Sequence, residues 1–370
     1  MKRKKVVYIV SDIDKALAFE WTAKCLAPYV DIFFILIGKK NTTLFNYLKR
    51  TGIACEVIAD DDYPGNLKKW IQIYRILRRE KPDVVHTHLW RATVLGLTAA
   101  WFCGVKKRIL TRHHAMLHYI EYPSGRKWDI LCNTLATDII AISQNVKNIV
   151  IQKDKAPSRK VQVVHHGFDL SYFNDIDQER VDIIRQKYQF IGSPIVGVIS
   201  RYLKLKGIQY IITAFKKLLL EYPKAHLVLA NAQGDYANSI KEQLRELPSA
   251  SYTEITFEED LAALYKVFDV FVHVPIDTHA EAFGQTYIEA LAVGVPSVFT
   301  LSGVAPEFID DRKNALVVNY QDADSILLSI KSILEGSALR IQLIENGKKS
   351  LHDKFALEVM ISKLVQIYNA

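Results

Sequence analysis

The sequence predicts an α/β protein made of two doubly wound units. Three observations carry this. Short apolar runs alternate with stretches of helical period, and the series restarts halfway along the chain. At 370 residues the chain is also too long for one hydrophobic core, and two domains fit that length. Apolar strands separated by amphipathic helices pack as parallel sheets with helices on both faces.

In the first half, the strand-like runs are 6–10, 32–37, 84–86, 108–111, 139–142 and 161–165. Helix-period stretches lie at 15–25, 66–79 and 93–102. In the second half, the runs are 195–200, 227–230, 270–274, 297–300 and 315–318, separated by helical patterns at 208–221, 261–267, 285–293 and 323–335. The join falls near His165-His166-Gly167-Phe168-Asp169 with no long Pro/Gly linker, so tight coupling of the units is expected. Domains are assigned to 1–166 and 167–350, with a C-terminal helix over 351–370 crossing back to the first. Open α/β sheets bind ligands beyond the carboxyl ends of their strands, so functional residues are sought there.

Composition excludes several classes. Hydrophobic residues make up 49% of the chain, too many for a disordered protein. Four cysteines, Cys25, Cys55, Cys103 and Cys132, have no close pair and no metal or redox spacing; they read as thiols of a reducing compartment, which predicts a cytoplasmic protein. The basic opening Met1-Lys2-Arg3-Lys4-Lys5 is followed by an apolar run too short for a signal peptide, and the low-charge stretch 92–105 is too short to span a bilayer. Residues 1–165 hold 28 Lys+Arg against 14 Asp+Glu, while the net charge of the whole chain is only +8, so the second half is net acidic. Such asymmetry predicts different partners for the two halves, with an anionic one for the first. No nucleic-acid recognition motif accompanies the charge.

Three segments after strands carry candidate chemistry. In Glu281-Ala282-Phe283-Gly284-Gln285-Thr286-Tyr287-Ile288-Glu289, Gly284 permits close backbone approach, and a helix starting near Gln285 presents free N–H groups to phosphate or sugar oxygens. Glu281 and Glu289 are acceptors for sugar hydroxyls, or else a helix cap and a solvated face. In Ser200-Arg201-Tyr202-Leu203-Lys204-Leu205-Lys206-Gly207, Arg201 and Lys206 can converge on one anion, such as a diphosphate on which charge builds as it leaves. Thr111-Arg112-His113-His114 follows a strand and offers a base or hydrogen-bond donor; a metal reading lacks a Cys or carboxylate at ligand spacing.

Together these segments resemble the retaining glycosyltransferases of family 4, which have the GT-B fold of two Rossmann-like domains facing an interdomain cleft. The resemblance spans about residues 80–350 and includes Lys81-Pro82-Asp83-Val84-Val85-His86-Thr87-His88, Val164-His165-His166-Gly167-Phe168-Asp169, Ala292-Val293-Gly294-Val295-Pro296, Pro306-Glu307 and Asn314-Ala315-Leu316. It implies that Arg201 and Lys206 hold the diphosphate of a nucleotide-sugar, most readily a UDP-sugar. Glu289 would bind the ribose, and Glu281 the donor sugar with backbone amides near Phe283, Gly284, Gln285 and Thr286. His113, with His114 as second choice, would sit beside sugar and acceptor. The N-terminal domain would bind the acceptor, a glycan or a lipid-linked chain. The implied reaction transfers a hexose or N-acetylhexosamine with retention, and needs no cofactor and no metal.

The chain departs from the family in two loops. Ser11-Asp12-Ile13-Asp14-Lys15 stands where a Gly-Gly pair is usual, leaving Asp14 and Lys15 as acceptor-side candidates; Asn231-Ala232-Gln233-Gly234-Asp235 replaces another glycine turn. Asp12-Ile13-Asp14 also resembles the metal motif of GT-A glycosyltransferases, but a second doubly wound half has no place in that fold. A UDP-sugar 2-epimerase of the same fold and a non-catalytic sugar-nucleotide-binding protein are the alternative readings. Peripheral association with the cytoplasmic face of a membrane is expected through Lys2–Lys5, Lys68, Lys69, Arg75, Arg78, Arg79, Lys106, Lys107 and Arg108, aided by Trp70, Tyr74, Trp101 and Phe102.

Overall fold

The computed structural model describes residues 3–62, 65–190 and 192–370. They form two compact units, Met1–Phe168 with Lys354–Ala370, and Asp169–Asp353.

The first unit holds β1 (Lys5–Ser11), β2 (Asp31–Gly38), β3 (Ala54–Ala59), β4 (Val84–His88), β5 (Lys107–Arg112), β6 (Asp138–Ala141) and β7 (Val161–Val163). They pair in parallel in the order β3-β2-β1-β4-β5-β6-β7. β1 shows why these strands read as unbroken apolar runs. Val6, Tyr8 and Val10 face one core, Val7 and Ile9 another, and all are buried. The C-terminal helix Leu357–Asn369 completes the first of these cores with Ile361, Leu364 and Tyr368.

The second unit holds β8 (Ile195–Ile199), β9 (His226–Ala230), β10 (Tyr252–Ile255), β11 (Val270–His273), β12 (Ser297–Phe299) and β13 (Leu316–Val317), in the order β10-β9-β8-β11-β12-β13. That is the doubly wound order 3-2-1-4-5-6, with the direction of winding reversing between β8 and β11. Gly197 in β8 is fixed by packing: a Cβ there would lie 2.1 Å from the Phe268 ring.

β3 and β10 are absent from the sequence expectation, and both are edge strands. Only part of each is buried, and Glu56 and Glu254 interrupt their apolar character. An edge strand needs no apolar residues on a side where nothing packs. Among the described residues no helix is long and apolar enough to cross a membrane, and all four cysteines are free.

Candidate active site

In the second unit the site sits at the winding reversal between β8 and β11. Beyond β8 the chain makes the short turn Lys204–Lys206 and enters the helix Ile208–Glu221 through Gly207, whose φ is +74°. A Cβ at Gly207 would fall 2.0 Å from the Val274 carbonyl oxygen, so glycine lets this turn press against the end of β11. The Ile276 N–H donates to the Leu205 carbonyl at 3.0 Å and closes the approach.

That approach brings Lys206 to Glu281. Lys206 Nζ donates to Glu281 Oε1 at 2.5 Å, and His273 Nε2, at the last residue of β11, lies 3.0 Å from the same oxygen. Glu281 and His273 are buried and Lys206 is half-buried. Burial pushes the Glu281 carboxyl up, but Lys206 and His273 outweigh it and hold the group down to about 2. Burial lowers His273 below its ordinary value against the pull of Glu281, so the imidazole is neutral at pH 7.

The loop after β12 fixes this carboxylate. The Glu281 N–H donates to Ser302 Oγ at 3.0 Å, the Gly303 N–H to the Thr278 carbonyl at 3.1 Å, and the Val304 N–H to the Phe283 carbonyl at 2.9 Å. Gly303, at φ +61°, lies so close that a Cβ would meet the Phe283 oxygen at 2.6 Å and Glu281 Cβ at 2.7 Å. The helix Gln285–Val293 then starts from Gly284, at φ +91°. Its first turn holds Gln285, exposed, and Thr286, whose Oγ1 is buried without a hydrogen-bond partner among the described residues. The positive end of the helix dipole and the Thr286 hydroxyl suit an anion.

The remaining candidates sit apart from this cluster. The Phe283 side chain is buried in the core, and its carbonyl accepts from the Val304 N–H. Arg201 is exposed, and its guanidinium has no ion pair among the described residues. Glu289 accepts from the Tyr265 hydroxyl at 2.9 Å; burial of its carboxyl raises it to about 7, partly offset by that hydrogen bond. His273 and Ser302 were missed in the sequence. His273 is hidden inside an apolar run, although its place at a strand end was a usable signal; Ser302 has no local signal.

In the first unit His113 follows β5 and belongs to a histidine cluster. His113 Nε2 lies 3.2 Å from His88 Nδ1, and its ring stacks on His166 with centroids 5.3 Å apart. Burial, then the neighbouring histidines, hold His113 and His88 well below the ordinary value, and His166 falls to about 4. The cluster is therefore neutral at pH 7. Behind it runs a buried chain: Tyr8 and Tyr368 hydroxyls at 2.5 Å, Tyr368 to His86 Nδ1 at 2.8 Å, and His86 Nε2 to Thr111 Oγ1 at 2.7 Å.

His114 points elsewhere. Its Nε2 lies 3.7 Å from Asp129 Oδ1, and His118 Nδ1 meets Asp129 Oδ2 at 2.6 Å. Folding thus supplies the carboxylate that linear spacing lacked, and His114, His118 and Asp129 bring their ligand atoms within 4.8 Å of one another. Arg112 Nη2 already donates to that same Asp129 oxygen at 2.6 Å and to Asp154 at 2.8 Å, supplying the positive charge a metal would bring.

In the acidic loop after β1 the two carboxylates serve separate partners. Asp12 accepts from Arg91 at 2.7 Å, while Asp14 accepts from the Thr43 N–H at 3.0 Å, ahead of the helix Thr43–Arg50. Lys15 is exposed beside Glu20.

Two doubly wound parallel units, one with these loops at its switch point, define the GT-B fold of glycosyltransferases. Residues 181–350 match the description "Glycosyl transferases group 1" and residues 41–172 match "Glycosyltransferase Family 4". The chain belongs to this glycosyltransferase family. It is 26% identical over 318 residues to the capsular polysaccharide biosynthesis glycosyltransferase CapM of Staphylococcus aureus, covering 82% of this chain and 81% of that one. It is 21% identical over 360 residues to the UDP-Gal:alpha-D-GlcNAc-diphosphoundecaprenol alpha-1,3-galactosyltransferase of Escherichia coli, covering 93% and 90%. Among solved structures, Anabaena Alr3699/HepE in complex with UDP and glucose superposes with a TM-score of 0.85 at 18% identity, over 99% of this chain and 100% of that one. That likeness shows the fold.

Proposed function

We propose that the protein is a retaining, metal-independent glycosyltransferase. It moves a hexose or N-acetylhexosamine from a UDP-sugar to a glycan or lipid-linked acceptor in cell-surface polysaccharide or glycolipid synthesis. The observation that carries this reading is the buried Lys206–Glu281–His273 cluster next to the first turn of the helix Gln285–Val293, where Thr286 Oγ1 is buried with no hydrogen-bond partner among the described residues. The galactosyltransferase of Escherichia coli, whose name specifies a UDP-sugar donor and a lipid-diphosphate acceptor, supports the donor and acceptor classes.

In the reaction, the bond from the anomeric carbon to the diphosphate oxygen breaks and its electron pair stays with the diphosphate. The acceptor hydroxyl forms the new bond on the same face and gives up its proton. Catalysis then consists of holding charge where it develops. Lys206 has three N–H donors, so it can keep Glu281 and still donate to a phosphate oxygen. Arg201 adds an unpaired positive charge, and the helix N-terminus and Thr286 add neutral donors. Glu281, ionised and fixed by Ser302 and His273, is an acceptor for sugar hydroxyls. Glu289 serves the ribose. His113, neutral, can accept a proton or a hydrogen bond on the acceptor side, with His114, Asp14 and Lys15 in the surrounding loops.

The basic first half fits a phosphate-bearing acceptor at an anionic membrane surface, but several of its cations have other work. Lys69 is buried and paired with Asp60 at 3.1 Å, Arg79 pairs with Glu56 and Glu80, and Arg108 donates to the Leu135 carbonyl at 2.8 Å. Trp70 stacks on Tyr74 and donates to Thr98, whereas Trp101 and Phe102 are exposed. Lys2 lies outside the described residues. Incubation of the protein with UDP-sugars and a lipid-diphosphate sugar, with NMR of the new anomeric centre, tests the proposal. A product of inverted configuration overturns the retaining assignment, and UDP-sugar left unconsumed overturns the donor class.

A further inference from the structure

The helix Gly125–Leu135 of the first unit is amphipathic in the reverse sense. Its inward stripe is Gly125, Asp129, Cys132 and Asn133. Its outward stripe includes Trp128, Ile130 and Leu131, which are 46%, 42% and 38% exposed. Just before it, Ile120 and Tyr122 are 71% and 61% exposed. Surface helices normally turn apolar residues inward. Five large apolar side chains exposed within twelve residues exceed the scattered exposure of an ordinary water-facing surface.

The inversion has a visible cause. The inward residues enter a buried polar network that fixes the helix. Asp129 holds Arg112 and His118, and Arg112 also holds Asp154, which accepts from Tyr119 at 2.6 Å. Gly125 fits against the His118 ring so closely that a Cβ would meet it at 2.6 Å. Trp90 packs edge-on against the same ring. The helix therefore cannot rotate its apolar face inward without breaking these buried charge contacts.

Cations flank the apolar face. Arg126 and Lys127 are exposed on the helix itself. Arg126 and Lys153 each lie over the Tyr119 ring, at 5.0 and 5.4 Å from its centroid. Glu121 is the exposed acid in the same stretch. An apolar face with Trp and Tyr, edged by a cationic excess, matches a helix lying in the interface of an anionic bilayer.

We propose that residues 117–134 form the surface by which this protein docks on an anionic lipid bilayer. The inference rests on the reading that its acceptor is lipid-linked, and it places the membrane contact on this helix rather than on the basic residues of 66–80. The occupant is the bilayer, with acyl chains against Trp128, Ile130 and Leu131 and phosphate headgroups against Arg126, Lys127 and Lys153.

Flotation of the full chain with vesicles of phosphatidylcholine, alone or mixed with phosphatidylglycerol, tests this. Flotation is expected with the anionic vesicles, with a blue shift of tryptophan emission, and should weaken at high salt. The combined change Trp128→Ser, Ile130→Ser and Leu131→Ser should reduce vesicle binding at least tenfold. Arg126→Glu with Lys127→Glu should remove its salt-sensitive part. Trp128, Ile130 and Leu131 lie on the outward stripe, so the Tm of the triple variant should stay close to wild type, whereas the charge variant also gives up the Arg126 contact with Tyr119 and should lose some Tm. Vesicle binding by the triple variant equal to wild type overturns the proposal, as does wild type that ignores anionic vesicles. A wild-type dimer that becomes monomeric in the triple variant, seen by light scattering, assigns the face to a second copy and also overturns it. The UDP-induced rise in Tm, measured on the same samples, reads the donor site separately. Its loss with flotation intact counts against the donor reading and not against this surface.

Discussion

Lys206 Nζ and Glu281 Oε1 lie 2.5 Å apart although 75 residues separate them in the chain. Lys206 comes from the turn after β8 and Glu281 from the loop after β11, neighbouring strands on either side of the winding reversal. The sheet topology alone brings these loops together. The pair is largely buried, so each charge depends on the other: removing one partner of such a pair costs roughly 3–5 kcal/mol because the other stays buried and uncompensated.

Lys206→Ala should therefore do two things. Turnover should fall at least tenfold, since a charge-assisted hydrogen bond is worth roughly 1.5–3 kcal/mol. The Tm should fall too. Adding Glu281→Gln should recover much of the Tm and none of the turnover. Recovery of both by the double variant would show that Lys206 serves only to neutralise Glu281. Arg201→Ala, with no ion pair to lose, should lower turnover by a similar factor at unchanged Tm.

The two glutamates predict opposite pH responses. Glu281 titrates at about 2 in the fold against an ordinary 4.5. Its contribution to stability is fully present above the ordinary value and is lost as pH falls toward the folded one. The Tm gap between wild type and Glu281→Gln should be widest near neutral pH and narrow in acid. Glu289 is raised to about 7 from the same ordinary value, so its protonated form is favoured in the fold. Stability is full below the ordinary value and is lost as pH rises through 7. Glu289→Gln should gain Tm over wild type between about pH 5 and pH 8. Thermal melts across this range check both signs.

Gly303→Ala should damage the donor loop without touching a charged group. A Cβ would meet the Phe283 oxygen and Glu281 Cβ at under 3 Å, and the φ of +61° disfavours any other residue. The loop carrying Glu281 must then shift. The expected result is a reduced kcat with a Tm loss of a few degrees, and wild-type kinetics would show that the clamp is dispensable.

Tyr368→Phe should destabilise the first unit from its far C-terminal end. The change leaves the Tyr8 hydroxyl and His86 Nδ1 buried without their shared partner. An unsatisfied buried polar group costs roughly 1–3 kcal/mol, which urea melts resolve. The Lys206–Glu281 cluster lies in the other unit, so UDP binding should be unchanged.

Chelation should leave activity intact. Asp12 and Asp14 serve separate partners, and Arg112 holds the Asp129 oxygen that His118 shares. Turnover measured with and without EDTA checks this; strict dependence on added divalent metal would contradict the proposed mechanism.

Fold and site differed in how far local sequence revealed them. β1 and β8 were visible because both faces of a central parallel strand are buried, which leaves a continuous apolar run. β3 and β10 were not, because an edge strand with Glu56 or Glu254 carries no such run. Lys206 and Glu281 were legible as polar residues directly after strands. His273 was concealed by the apolar residues around it. Ser302 and Gly303 act only through contacts with a loop some twenty residues earlier, and Asp129 meets His114 only once its helix is docked. Such partners leave no mark in local spacing. The outward Trp128, Ile130 and Leu131 were likewise unreadable, since apolar residues on a helix are ordinarily assigned to the core.

We propose the Lys206–Glu281 cluster as the diphosphate and sugar end of a UDP-sugar site. A thermal-shift panel of UDP, GDP, ADP and their sugars, run on wild type and on Arg201→Ala, Lys206→Ala and Glu281→Ala, tests it most directly, because a ligand specific for the folded state raises Tm by mass action. UDP and a UDP-sugar should raise the wild-type Tm above the other nucleotides. Arg201→Ala and Lys206→Ala should abolish that rise, and Glu281→Ala should keep the response to UDP while losing the extra response to its sugar. A larger shift with GDP or ADP, or a full UDP response in Lys206→Ala, would contradict it.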